Sequence, residues 1–103
     1  MNPPDSVDVI ESNIDEEIQL KWEHIKGAKN YLVEYKGNTK GEKWKQADFV
    51  SGSFCIITGL KNNRKYKFRV AALNSTKRSK WSKTCELKLR KNFEQKHLNN
   101  KTV

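Results

Sequence analysis

The sequence predicts an all-β fold, a seven-stranded antiparallel β-sandwich with Greek-key links, and three observations carry that expectation. Apolar and polar residues alternate with period two in short runs, and no helical periodicity of useful length interrupts them. The runs are separated by stretches of Gly, Asn and Lys that supply turns. At 103 residues the chain has room for one domain. Its hydrophobic content is only 35%, but three Trp, three Tyr and four Phe give a thin two-sheet core enough area to bury.

The elements follow in order. Ser6 to Glu11 is a first strand, with Val7 and Val9 on one side. Glu17 to Glu23 is a second, in which Ile18, Leu20 and Trp22 alternate with Gln19, Lys21 and Glu23. Gly27-Ala28 turns into a third, Asn30 to Lys36, where Tyr31, Val33 and Tyr35 share a face. After a turn at Gly37 to Gly41, a short fourth strand is expected around Lys43 to Ala47, and a fifth runs from Ser53 to Thr58. The sixth, Lys65 to Asn74, is the clearest: Tyr66, Phe68, Val70 and Ala72 face in, and Lys67, Arg69 and Ala71 face out. Lys83 to Arg90 closes the set, with Cys85, Leu87 and Leu89 in phase. Seven strands at this spacing make two packed antiparallel sheets. The expected core is Trp22, Tyr31, Val33, Tyr35, Leu60, Tyr66, Phe68 and Val70. Residues 1–4 read as a lead, 5–90 as the domain, and 91–103 as a polar tail. In that tail only Phe93 and Leu98 could anchor anything, as a linker or a short docking helix.

Several of these residues, taken together and in order, resemble the fibronectin type III domain family. They are Trp22, the run Tyr31-Leu32-Val33-Glu34-Tyr35, Trp44, and Gly59-Leu60 followed by Tyr66-Lys67-Phe68-Arg69-Val70-Ala71-Ala72-Leu73-Asn74. The resemblance covers residues 3 to 90. Tyr66 sits six residues after Leu60, where a tyrosine can bury its ring under the connection and bond an upstream backbone group through its hydroxyl, the tyrosine corner. An immunoglobulin domain would carry its Trp on the third strand against a disulfide between the second and sixth. Here the Trp is on the second strand, and neither the second nor the sixth holds a Cys. The resemblance implies a non-catalytic protein-interaction or spacer module of an adhesion, receptor or surface assembly. No Arg-Gly-Asp tripeptide is present.

The chemistry-bearing residues are few. Cys55 and Cys85 lie in inward phase on strands expected in different sheets, roughly 10 Å apart, whereas a disulfide needs Cα atoms within about 7 Å. Free thiols acting as small apolar fillers are therefore expected over a disulfide or a metal site. His24 and His97 have no triad companions, and no glycine-rich loop cradles phosphate. No enzyme, cofactor or metal is expected. No run is apolar enough to span a membrane, and the N-terminus lacks the features of a signal peptide. As written the chain is expected inside the cell, unless it is part of a longer secreted or membrane protein. Two sequons, at Asn74 and Asn100, matter only in a secretory setting.

The candidate contact surface is basic. The formal net charge is +9, which attracts polyanions and acidic partners without identifying either. Outward phase collects Lys36, Lys67, Arg69, Lys88 and Arg90, and the loop after the sixth strand adds Lys77, Arg78 and Lys80. Glu34 and Glu86 share that face. The segment Arg78-Ser79-Lys80-Trp81-Ser82 resembles the Trp-Ser-x-Trp-Ser motif of cytokine-receptor fibronectin domains, with Arg78 where the first Trp would stand. That resemblance implies a cation–π stack of Trp81 with Lys67 or Arg69, halved by the missing Trp. The plainer alternative is a Trp that covers the sheet edge. Three readings stay open for the surface: a solvated basic face, contact with nucleic acid or glycosaminoglycan, and a protein-binding face steered by charge. The partner is expected to be another protein, with a polyanion as the alternative, and the isolated domain to be a monomer.

Overall fold

The computed structural model describes residues 1–89 apart from Asn13 and Asp15. Arg90, His97, the sequon at Asn100 and the expected tail with Phe93 and Leu98 lie outside the described residues. Seven strands form in the order β1 (Asp8–Glu11), β2 (Ile18–Lys21), β3 (Asn30–Gly37), β4 (Lys45–Val50), β5 (Phe54–Ile57), β6 (Lys65–Leu73) and β7 (Cys85–Lys88). They make two antiparallel sheets, β1-β2-β5 and β4-β3-β6-β7. This is the expected sandwich. Ile18, Leu20, Tyr31, Val33, Phe68 and Val70 fill the gap between the sheets, each at most 1% exposed. Trp22 lies edge-on to Tyr31, with ring centroids 5.3 Å apart. Met1 packs against this core and Pro4 is fully buried.

The fourth strand departs from expectation. It begins at Lys45 and runs on to Val50, because the hairpin before it is closed from within. The Gly37 N–H donates to the Glu42 carboxylate, which sits so close that a Cβ at position 37 would meet it at 2.7 Å. Gly41, at φ +82°, completes the turn. That hydrogen bond also holds the Glu42 carboxyl below the usual carboxylate range. Further along, Val33 pairs with Asp48 but Glu34 pairs with Gln46, so Ala47 is an extra residue in a β-bulge. The bulge resets the phase, so the period-two pattern breaks at Ala47. Two other residues differ. Tyr35 is half-buried at the end of the sheet, leaning on Tyr66. Ala71 is in outward phase yet fully buried, opposite Leu32 and beside the covered side chain of Arg69.

Two tyrosines tie connections to the core through their hydroxyls. The Tyr31 hydroxyl accepts from the Ile25 N–H at 2.8 Å, and the Tyr66 hydroxyl accepts from the Lys61 N–H at 2.8 Å. Tyr66→Phe would leave the Lys61 N–H without its acceptor in a part-buried connection, an expected loss of about 1–3 kcal/mol. Urea unfolding reads it as a lower midpoint at constant slope. An unchanged midpoint would show that the Lys61 N–H is served equally well by water.

Both cysteines are free, Cys55 on β5 in one sheet and Cys85 on β7 in the other. The Cys85 thiol donates to the Val7 carbonyl at 3.2 Å. Burial, helped by the nearby Asp48 carboxylate, pushes the Cys55 thiol up to about 12. The native thiol is therefore almost wholly protonated at pH 8, and thiolate is the reactive form. Mass spectrometry after alkylation without reductant is expected to find both thiols modified in denaturant. In the native protein Cys55 should react more slowly than half-buried Cys85. Absence of modification in denaturant would mean an oxidised pair.

Candidate recognition surface

The outer face of the four-stranded sheet is built on β3 and β6. Their register sets Lys36 opposite Lys67, Glu34 opposite Arg69 and Leu32 opposite Ala71. Arg69 stands at the centre. Its Nε and Nη2 both donate to Glu34 Oε1, at 2.9 and 2.6 Å. Its guanidinium carbon lies 4.1 Å from the ring centroid of Trp44 and 4.1 Å from that of Trp81. Two indoles cannot share one face of a guanidinium at that distance, so Arg69 is held between them. Lys36 caps the Trp44 ring at 4.9 Å and Arg78 caps the Trp81 ring at 4.5 Å. The result is an alternating stack of cations and indoles: Lys36, Trp44, Arg69, Trp81, Arg78.

Local sequence explains how each rung arrives. Residues 77–83 run back along β6, held by two serines. The Ser79 N–H donates to the Ala72 carbonyl while the Ala72 N–H donates to Ser79 Oγ, both at 2.8 Å. Ser82 does the same with Val70, at 2.8 and 3.0 Å. Both serines are buried, so the two residues between them are fixed, with Lys80 exposed and Trp81 laid over the face. Trp44 comes from the other side, off the β3–β4 hairpin whose closure by Glu42 places it one residue before β4. The stack is therefore not halved, as the missing first Trp of the motif implies. Trp44 supplies the second indole, and Arg78 is itself a rung.

The sequence-predicted residues divide accordingly. Lys36, Arg69, Arg78 and Trp81 come together in the stack. Lys67 does not stack; its ammonium pairs with Glu86 at 3.7 Å, where Lys65 also reaches at 4.0 Å. Lys77 and Lys80 are exposed on the segment beyond the stack, and Lys88 is exposed on β7 opposite Lys65. None of these three has an ion-pair partner among the described residues. Arg90 lies outside the described residues. Phe49 is a residue that sequence reasoning missed. It is 53% exposed and, after the bulge, sits opposite Leu32 on this same outer face. Its only sequence signal is a large apolar residue one place beyond an Asp. Among the described residues no group of three or more His, Cys, Asp or Glu could hold a metal ion.

Comparisons agree with this architecture. The family model of the fibronectin type III domain matches residues 2–88. Among solved structures the chain is similar to domains A168–A170 of titin, at 26% identity and a TM-score of 0.73, covering 87% of this chain and 32% of that one. It is similar to the twitchin kinase region from C. elegans at 25% identity and a TM-score of 0.73, covering 88% of this chain but 17% of that one. A fibronectin type III-like protein from Clostridium thermocellum shares the fold at 19% identity and a TM-score of 0.72, covering 85% of this chain and 92% of that one. The chain thus spans a small part of the kinase-containing relatives, where such a domain flanks the kinase. A sandwich with Trp22 in the core, Tyr66 bonded to the connection before its own strand, and a family match over nearly the whole length identify this chain as a member of the fibronectin type III domain family.

Proposed function

We propose that this chain is a non-catalytic protein-interaction module of an adhesion, receptor or surface assembly. In this reading residues 5–90 form the module, 91–103 serve as its linker, the isolated domain is a monomer, and the partner docks on the outer face of the four-stranded sheet. One observation carries the choice of face: the stack of Lys36, Trp44, Arg69, Trp81 and Arg78 lies on the same sheet face as exposed Phe49. Aromatic and Arg side chains already fixed before binding lose little freedom on docking, and such residues dominate interface energetics. The partner suited to this face presents acidic groups around an apolar centre.

Polyanion binding is the second reading, favoured by Lys77, Lys80 and Lys88, which have no ion-pair partner among the described residues. Against it, Arg69 and Lys67 already serve Glu34 and Glu86, so the field is weaker than the +9 total suggests. Heparin titration at two salt concentrations separates the two. Protein recognition predicts weak heparin binding, little changed by Lys77→Glu with Lys80→Glu. It also predicts that a partner identified from an extract is lost on Phe49→Ala and kept on Lys26→Glu, which reverses a charge in the exposed β2–β3 turn. Tight heparin binding with a steep salt slope that the lysine reversals flatten would decide for the polyanion.

A further inference from the structure

The charge of this chain is divided along its length. Residues 1–25, which hold β1 and β2, carry seven carboxylates against the single cation Lys21, whereas the remainder carries every other Lys and Arg. The outer face of β1-β2-β5 is also unusual in its apolar content. Register places Ile10, Gln19 and Ile56 in one row across the sheet, and Asp8, Lys21 and Phe54 in the next. Ile10 is 47% exposed, Ile56 44% and Phe54 43%. A sheet with one wet face ordinarily alternates polar out and apolar in. β5 does not: Cys55 and Ile57 face the core, and Phe54 and Ile56 face outward. Only the first pair belongs to the core, and the second lies outside it.

Beside this apolar triad is a shallow hollow of about 200 Å³, lined by Ser6, Asp8, Lys21, Trp22 and Glu23. Asp8 lies opposite Lys21 in the β1–β2 register, and Glu23 follows Lys21 by two residues. Among the described residues none of the three forms an ion pair. Two carboxylates and one ammonium therefore line the hollow, a net negative charge that suits a further cation. Adjacent strands lie about 4.8 Å apart and like-facing residues of a strand about 7 Å apart. The triad and the hollow thus fall within the footprint of a few residues of a partner chain.

We propose that this face is a second recognition surface, for a protein segment that lays apolar side chains over Ile10, Phe54 and Ile56 and brings a Lys or Arg to Asp8 and Glu23. Its charge preference is opposite to that of the stacked face. One module would then bridge an acidic partner on one sheet and a basic one on the other. Exposed apolar area supplies the attraction, and the carboxylates set which apolar segment is accepted. The site is independent of the stacked face and stands whether or not that face binds.

The test uses two synthetic ten-residue probes, alternating Leu-Lys and alternating Leu-Glu, titrated into the isotope-labelled full chain while amide shifts are followed. The Leu-Lys peptide is expected to move the amides of Ile10, Lys21, Phe54 and Ile56, and the Leu-Glu peptide to leave them in place. Phe54→Lys with Ile56→Lys should weaken the Leu-Lys peptide about tenfold or more. Asp8→Lys with Glu23→Lys should flatten its salt dependence. The wild-type shift map needs no variant to fold, so it decides by itself. Equal response to both peptides, shifts confined to the four-stranded sheet, or no response at millimolar peptide would overturn the proposal. Concentration-dependent self-association that shifts these amides without peptide would overturn it too, by placing a second copy there.

Discussion

Replacing Trp22 with alanine is expected to cost about 3–5 kcal/mol, close to the whole stability of a domain of this size. The ring is 5% exposed and meets the edge of Tyr31, which is itself fully buried. Its indole N–H is buried with no hydrogen-bond partner among the described residues, so packing holds the ring in place. Truncation removes the packed neighbour of Tyr31, whose hydroxyl accepts the Ile25 N–H in the β2–β3 link. The cavity would therefore loosen a connection as well as the core. Thermal and urea unfolding measure the loss. A cooperative Trp22→Ala protein that stays folded at 37 °C would contradict a core built around this residue.

Arg69→Ala is expected to cost about 2.5–5 kcal/mol, large for a side chain on a sheet surface. Charge-assisted hydrogen bonds to Glu34 contribute roughly 1.5–3 kcal/mol, and each indole contact adds about 0.5–1 kcal/mol. The partner carboxylate is only 19% exposed, so losing the guanidinium leaves it poorly solvated and alone. Arg69→Lys separates charge from shape. The ammonium can still pair with Glu34 but has no flat surface for two rings, so the variant should fall between wild type and alanine. Urea midpoints for the three proteins give the order. Equal midpoints for lysine and arginine would mean that charge alone matters and that the two indoles do not grip a plane.

Much of this was legible from residue order because period two is a local property. Trp22, Tyr31, Val33, Phe68 and Val70 alternate where their strands lie, and each is buried. The fourth strand was misplaced because Ala47 inserts an extra residue opposite β3, and a bulge erases the only signal that alternation offers. The same insertion hid Phe49, which faces the same way as Gln46 three residues earlier. The stack was half legible. Arg78 to Ser82 announces one indole, Trp81, beside Lys67 or Arg69, but Trp44 is recruited from a hairpin 25 residues before Arg69, and no spacing rule foretells that meeting. Glu34 and Glu86 were visible as acids on a basic face. Only the register shows that they take up Arg69 and Lys67 and leave Lys77, Lys80 and Lys88 outside the pairing.

The preformed stack at the centre of the four-stranded sheet can be observed in the protein alone, through the side-chain N–H resonances of its arginines. A guanidinium held between two indoles and bonded to a carboxylate rotates and exchanges slowly, and ring currents from both faces shift its protons upfield. The Arg69 Nε–H should therefore give a sharp, slowly exchanging signal at neutral pH, its hydrogen bond to Glu34 and the ring currents shifting it in opposite directions. It should move downfield in Trp44→Ala and in Trp81→Ala as each ring current is removed. An Arg69 signal that exchanges as fast as that of an exposed arginine, with no response to either indole, would contradict a rigid recognition face.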